Sequence, residues 1–333
     1  MNMKQIRLAL IGIGGYGATL SKSIQSVPSL KIVACYHPKN TKAEKAAQLL
    51  NCRASLNEKD AFFNHDIDGV VIATPDPSHL HYINLGVQAG LHIFVEKPMV
   101  SSLDEALQLE KILSAYCNTF MVGHNMRRFP GFRYIKKEFI SGKLGKLVTF
   151  QISLSHGGAF DWDRQYWRTQ LDLCREGPMR VNGVHASDVL EYLFGKIDKV
   201  YAVFGDHFTS HTSPDSGIAL AQIKNAWGSI TTHWTVPSLN HFRFQFTNAH
   251  VDYDLTTLSL RYGRDVQCKP NESVIVNLPE VDSRKEQFEA FSNSITHGKA
   301  VETGFEQGLR AVIFFEACYR STRDKTPITL SRI

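Results

Sequence analysis

The sequence has few of the features that would tie it to a membrane, a nucleic acid or a metal. No stretch of its 333 residues holds the roughly 20 consecutive apolar positions of a membrane helix. The start, Met1 to Leu10, sets basic residues before apolar ones, but the apolar run is short, glycine breaks it and no small-residue cleavage site follows; a signal peptide is not expected. Cysteine is scarce: Cys35, Cys52, Cys117, Cys174, Cys268 and Cys318 are scattered without a C-x-x-C pair, which predicts reduced, mostly buried thiols and a cytoplasmic protein. There is no block of basic residues, and the net charge is only +5. That balance excludes a nucleic-acid partner while suiting an anionic cofactor or substrate. Of the 14 histidines, His79 and His81 are two apart, and His207 and His211 are four apart in a Ser/Thr/Pro loop. Neither gives the helical pair of a zinc site, so no metal is expected. Repeats and low-complexity segments are absent. What remains, 43% hydrophobic and 21% charged residues, is ordinary for a globular protein, and the length suggests two domains.

The most informative stretch is Gly12-Ile13-Gly14-Gly15-Tyr16-Gly17, which follows the apolar run Ile6–Ile11 and precedes an amphipathic helical pattern. Strand, glycine turn and helix together form the dinucleotide fingerprint. Gly12 permits the turn, Gly14 lets a pyrophosphate approach the backbone, and Gly17 lets helix and strand pack closely. The free N–H groups at the start of the helix then hold phosphate. Over residues 1–122 strands alternate with helices. Strands are expected at Ile6–Ile11, Leu30–Tyr36, Gly69–Thr74, His92–Glu96 and Thr119–Val122. Helices are expected near Tyr16–Ser26, Thr41–Leu50, Ser78–Ala89 and Ser102–Tyr116. Ser102 and Glu105 form a capping-box pattern, and Leu103, Ala106, Leu107, Leu109, Ile112 and Leu113 form the face to be buried. Wholly apolar strands separated by helices predict a doubly wound parallel sheet, a Rossmann domain of α/β class with ligands at the strands' carboxyl ends.

Three strand ends carry candidate ligand contacts. After the second strand an NAD site usually has an acidic residue for the ribose 2′-hydroxyl. Here stands His37, with Lys39 and Lys42 close by, so the reading leans to NADP over NAD. Thr74-Pro75-Asp76-Pro77-Ser78-His79 makes a rigid loop in which Ser78 can cap the following helix. Glu96-Lys97-Pro98 puts a lysine into the same crevice; alone, such a lysine is as readily a surface charge.

From residue 123 to 333 the period changes. A short helix, Phe132–Ile140, is closed by Gly142. Strict alternation follows in Val148/Phe150/Ile152/Leu154, Ile230/Thr232/Trp234/Val236, Phe242/Phe244/Phe246, Val251/Tyr253/Leu255 and Leu258/Leu260/Tyr262. Such runs predict an open, mostly antiparallel sheet with one packed face. Helices at Asn182–Phe194, Phe288–Ile295 and Phe305–Arg320 are the expected cover, giving an α+β second domain. Its other face is either wet or paired with another subunit.

Taken together, Gly12–Gly17, Thr74-Pro75 with His79, Glu96-Lys97-Pro98, Arg127-Arg128-Phe129-Pro130, Trp167-Arg168, and Gly183-Val184-His185 with Asp188 resemble the glucose–fructose oxidoreductase, inositol dehydrogenase and rhizopine-catabolism (Gfo/Idh/MocA) family over nearly the whole chain. The resemblance implies a nicotinamide cofactor in the Rossmann domain and a sugar, cyclitol or related hydroxyl or carbonyl substrate. It also implies a homodimer or homotetramer assembled through the second sheet. It assigns Lys97 to the reacting oxygen and nicotinamide ribose, and His185 to proton exchange with the substrate. Acid–base chemistry agrees, since taking a hydride from a carbinol also requires removing a proton, and a group titrating near neutrality does this best. A place in the first helical turn would keep that imidazole neutral; a packed histidine with a satisfied hydrogen bond is the alternative. Trp167 and Arg168 are implied near the cofactor. Asn125, Arg127, Arg180 and Asn182 are candidate substrate contacts. Trp162 and Tyr166 suit either a sugar face or a loop that anchors itself in the core.

There is one departure. Many relatives have an aspartate four residues before the histidine, where this chain has Val181. A subgroup with a Gly-Gly-Pro-Leu approach also lacks it, and Glu176-Gly177-Pro178-Met179 resembles that subgroup with glutamate for the first glycine. The missing carboxylate puts plain polyol dehydrogenation in doubt. Two alternatives therefore stand beside an oxidoreductase: a glycosidase-like enzyme that uses its nicotinamide transiently, and a non-catalytic sensor that binds NAD(P) and a partner protein.

Overall fold

The structure is a computed structural model, and it describes residues 5–205, 208–263 and 273–332; His207 and Cys268 lie outside them. The chain's contacts divide it into two units, Met1–Asn125 with Asp282–Val312, and Met126–Val281 with Ile313–Ile333.

The first unit is built on six strands: β1 (Ile6–Ile11), β2 (Leu30–Tyr36), β3 (Arg53–Ser55), β4 (Gly69–Ile72), β5 (His92–Val95) and β6 (Phe120–Val122). All pair in parallel, in the order β3-β2-β1-β4-β5-β6. The order reverses at β1, which opens a crevice at the carboxyl ends of β1 and β4. The connecting helices are α1 (Gly15–Gln25), α2 (Asn40–Leu50), α3 (Glu58–Phe62), α4 (His79–Gln88) and α5 (Leu103–Leu113). β3 and α3, three and five residues long, are too short to show a period in the sequence.

Three local expectations fail in whole or in part. Ser78 does not cap α4; its hydroxyl donates instead to Thr74 Oγ1 (2.8 Å) and the Pro75 carbonyl (2.7 Å), closing the loop on itself. On α5, Ser102 does accept from the Glu105 N–H, but the Glu105 carboxylate reaches back to the N–H and hydroxyl of Ser101. Leu107 is 47% exposed, because the face carrying Leu103, Ala106 and Leu109 suffices to cover the sheet, with Ile112 and Leu113 half-buried.

In the second unit nine strands are described: β7 (Leu147–Ser155), β8 (Lys199–Gly205), β9 (Ser216–Ile223), β10 (Ala226–His233), β11 (Leu239–Phe246), β12 (Ala249–Tyr253), β13 (Leu258–Tyr262), β14 (Ser273–Val276) and β15 (Ile328–Thr329). Their order is β14-β13-β12-β11-β7-β10-β9-β8-β15. Every pairing is antiparallel except β7 with β10. Phe150, Ile152, Leu154, Ile230, Phe242, Phe244, Val251 and Leu260 form the buried face. α6 (Pro130–Ile140) and α7 (Val184–Phe194) cover it. The Phe132 ring lies 4.7 Å from Phe242 and 5.0 Å from Tyr253, and Phe194 lies 5.2 Å from Phe244. Val148 and Val236, expected on this face, are exposed: Val148 is the second residue of β7, and Val236 lies past the end of β10.

The helix α8 (Ser283–His297) corrects a further expectation. Instead of covering the second sheet it packs on the first, with Phe288 and Phe291 at 4.8 and 5.9 Å from Phe94. These rings join Leu8, Leu10, Leu20, Ile24, Val71 and Met121 in one core. A three-residue spacing places both rings on one helix face, but periodicity cannot say which sheet receives it. The last long helix, α9 (Phe305–Asp324), contributes its first turns to the first unit and the remainder to the second.

Candidate functional site

In the first unit the predicted cofactor residues gather at the carboxyl ends of the strands. Gly12 leaves β1 with φ +87°, and a Cβ there would sit 2.8 Å from the Ala73 backbone and from Thr74 Cγ2. A Cβ on Gly17 would meet the Gly12 carbonyl oxygen at 2.0 Å. The protein itself therefore demands these two glycines. Gly14 and Gly15 are different: a Cβ on either meets nothing within 4 Å, and both are exposed with Ile13 half-buried beside them. The start of α1 has no side-chain cap and no acidic residue in its first turn. It thus offers bare N–H groups in an open cradle, where a Cβ would occupy space that a diphosphate needs. The residues fit a dinucleotide.

His37 and Lys39 follow β2, with the Lys39 N–H donating to His37 Nδ1 at 2.9 Å. Burial, then Lys42 and Lys39, pull the His37 pKa below its usual value. A neutral imidazole with exposed lysines beside it, in place of a carboxylate, follows the end of β2. After β4, Thr74 and Pro75 stand beside the glycine turn. His79 is buried, and its Nδ1 and Nε2 lie 2.9 Å from the carbonyls of Pro98 and Thr74 respectively. Burial lowers its pKa, against the opposing effect of Asp76 and those carbonyls. With both ring nitrogens engaged by backbone, His79 acts as a brace between the loop after β4 and the segment carrying Lys97. Asp76 is buried beside it.

Lys97 is half-buried and precedes a cis peptide to Pro98. Glu96 is 4% exposed. Its Oε2 accepts the Lys97 N–H at 3.2 Å, while Oε1 is buried without a hydrogen-bond partner. Burial pushes its pKa up to about 7 against the opposing charges of Lys97 and Arg284. Gly123 leaves room for this carboxyl group, since a Cβ there would lie 2.7 Å from Oε1. Asn125 donates to Ser283 Oγ at 3.0 Å, which ties the end of β6 to the start of α8. Arg284 reaches the same corner, its Cζ 6.0 Å from the centre of the Tyr16 ring. The Tyr16 hydroxyl is pushed well above its usual pKa by burial and by Glu96, with Arg284 opposing. Arg284 was missed in the sequence, where nothing but its place just after Asp282 marks it.

In the second unit His185 is half-buried near the start of α7. The expected helix N-terminus is not there. A π-helical turn, Met179–Gly183, runs directly into α7, and Gly183 has helical dihedrals. The dipole argument for a neutral His185 therefore fails, because the backbone N–H groups around it lie inside a continuous helical run. One turn on, Asp188 accepts from Arg127 Nε at 3.0 and 2.8 Å and from Nη2 at 2.6 Å, a buried bidentate pair. Arg127 is thus held against α7, with Tyr192 5.3 Å away. Arg180 is likewise buried and tied to Glu176 and to the Leu173 carbonyl, with its Cζ 5.8 Å from the Phe315 ring centre; Asn182 is half-buried.

Val181 packs with Ala159, Cys174 and Trp234, against Trp162 and Trp167. A carboxylate there would be desolvated by aromatic rings. Trp162 lies 5.2 Å from Tyr166 and 4.9 Å from Trp234. The Arg168 guanidinium stacks over Trp162, Tyr166 and Trp167 at 5.1–5.7 Å, a cation–π arrangement. Among the described residues no group of three His, Cys, Asp or Glu side chains could hold a metal ion, and no helix is long and apolar enough to cross a membrane.

Comparison with known proteins bears on both units. Residues 6–124 match the oxidoreductase family with the NAD-binding Rossmann fold, and residues 132–251 match the Gfo/Idh/MocA C-terminal domain. The 2,7-anhydro-N-acetylneuraminate hydratase of Mediterraneibacter gnavus is 26% identical over 61% of this chain and 53% of its own length. That of Escherichia coli is 26% identical over 64% and 55%. The NAD-dependent scyllo-inositol 2-dehydrogenase of Bacillus subtilis is 31% identical over 44% of each chain. This chain thus spans about half the length of the curated relatives it matches. Two solved structures share the fold from end to end. A Desulfitobacterium hafniense oxidoreductase proposed to depend on NADPH has TM-score 0.93 at 23% identity, over 99% of both chains. Levoglucosan dehydrogenase with NADH and levoglucosan has TM-score 0.90 at 18% identity, over 98% and 100%. With a glycine turn shaped for a dinucleotide, a parallel sheet behind it and a mostly antiparallel sheet following, this chain belongs to the Gfo/Idh/MocA oxidoreductase family, whose cofactor is NAD or NADP.

Proposed function

We propose that this protein is an NAD(P)-dependent oxidoreductase acting on a CH–OH or carbonyl carbon of a sugar-like substrate, with Lys97 and His185 serving the reacting centre. The carrying observation is the glycine turn: its packing accounts for Gly12 and Gly17 but leaves Gly14 and Gly15 to be accounted for by a ligand. A bound nicotinamide supplies the hydride acceptor or donor. The Lys97 ammonium, set at the carboxyl end of β5 and braced through His79, holds the substrate oxygen and stabilises negative charge as it develops. His185 takes the hydroxyl proton in oxidation and returns it in reduction. Trp162, Tyr166 and Val181 give the substrate an apolar wall, and the absence of a carboxylate at 181 leaves His185 to handle the proton. The outer face of the second sheet exposes Val203, Ile218, Leu220 and Trp227, which supports a homodimer or homotetramer formed through that face.

The hydratase relatives favour a second reading: since adding or removing water changes no net oxidation state, the nicotinamide would be used and restored within a turnover. Assay against a panel of sugars, cyclitols and anhydro sugars separates the two. NAD(P)H accumulating in proportion to product supports net oxidation; product forming with no change in NAD(P)H supports the second. If neither NADH nor NADPH binds in a fluorescence titration, both readings are lost.

A further inference from the structure

Among the described residues, the glycine turn and the first turn of α1 carry no basic side chain to meet the two central negative charges of a dinucleotide. The only basic residue on α1 is Lys22, in its last turn. Lys39 lies between β2 and α2 and Lys42 in the first turn of α2, and Lys97 faces the reacting centre in the reading above. Arg284 arrives from far along the chain. Asp282 caps α8 by accepting from the N–H groups of Arg284 and Lys285 at 2.9 and 3.1 Å. The bond between Ser283 and Asn125 then fixes that first turn against the end of β6. The guanidinium lies over Tyr16, a residue of the glycine turn itself.

Two polar atoms in this corner are left over. Arg284 Nε and Glu96 Oε1 are each buried without a hydrogen-bond partner. A buried, unsatisfied guanidinium N–H is costly, and it remains in a fold when a ligand completes it. Arginine matches phosphate oxygens with paired N–H donors, whereas the glycine turn supplies only backbone N–H groups.

We propose that Arg284 is a diphosphate-binding residue of the dinucleotide site, working opposite the N–H groups of the glycine turn. This rests on the cofactor reading above. The Glu96 carboxyl group and the guanidinium act on each other only through their charges, and Tyr16 lies against the guanidinium's flat face.

Calorimetric titration of wild type and Arg284→Gln with NADH, NADPH, ADP-ribose and adenosine tests it. The expected result is a loss of about 10- to 100-fold in affinity for the three diphosphate ligands, adenosine binding unchanged, and partial recovery in Arg284→Lys. ADP-ribose binding to Arg284→Gln as it does to wild type overturns the proposal. So does an equal loss for adenosine, which would make the arginine a support for the pocket's shape. Should Arg284→Gln fail to fold, the lysine variant decides by the same comparison: a larger loss for ADP-ribose than for adenosine supports the assignment, and equal losses overturn it. Wild-type protein that binds none of the four ligands removes the cofactor reading itself.

Discussion

Glu96 in the first unit and Glu176 in the second are both buried glutamates with cations nearby, and they are used in opposite ways. Glu176 is fully buried, but Arg175 donates to its Oε1 at 2.8 Å, Arg180 to its Oε2 at 3.5 Å, and Arg175 goes on to Glu316 at 2.6 Å. The fold consumes its charge. Burial raises its pKa and the two arginines oppose that rise. Glu96 keeps one oxygen bare, and burial pushes its pKa up to about 7. Beside it stand a lysine, an arginine and an exposed glycine turn. A buried ion pair that is complete within the protein holds structure; one left incomplete marks where a ligand belongs.

The largest expected effect comes from Lys97→Ala. Turnover should fall by about 10²- to 10⁴-fold while cofactor affinity changes only a few-fold; turnover near wild type removes Lys97 from the reacting centre. Glu176→Gln should destabilise the fold by about 3 kcal/mol in chemical denaturation, because it removes the buried carboxylate charge that Arg175 and Arg180 share. A loss under about 1 kcal/mol would erase the contrast between the two glutamates. Glu96→Gln tests the other side. Its folded pKa is raised, so its contribution to stability is full below the ordinary value of 4.5 and is lost as pH rises through about 7. Wild type should lose about 3 kcal/mol from this group across that window, and the glutamine variant should lack that slope. Equal slopes would mean that Glu96 ionises freely.

Smaller effects separate the glycines. Gly17→Ala should cost about 1–3 kcal/mol through its clash with the Gly12 carbonyl. Gly14→Ala should leave the melting temperature unchanged and weaken NAD(P)H binding, and a variant that binds normally would show that no ligand uses that space. Smallest is His37→Asp, which should move preference from NADP toward NAD with little change in fold. Unchanged relative affinity for the two would remove the case for NADP at this strand end.

Much of the first unit was legible because its signals are local. β1 and β2 have the bounds their apolar runs predict, and the glycine turn follows β1 for the steric reasons its spacing implies. In the second unit, alternation located the inner face through Phe150, Phe242 and Phe244, but β8 and β9 went unread. The outward-facing positions of those strands carry Val203, Ile218 and Leu220, so polarity does not alternate along them. His185 was found through its motif, yet its supposed helix end was not, because a π turn looks like ordinary helix in sequence.

The amino-acid sequence alone determined the strand-turn-helix with its glycine fingerprint and the alternating strands, since each follows from spacing along a few neighbouring residues, whereas Lys97 and His185 were singled out only by the resemblance to a family. Only the tertiary structure decided that α8 leaves the second sheet for the first, that Arg127 is bound up in an ion pair with Asp188, and that Arg284 meets Tyr16. These partners are separated by tens to hundreds of residues or compete for more than one surface. Pattern along the chain says that a side chain must be buried or paired, and packing in three dimensions selects with what.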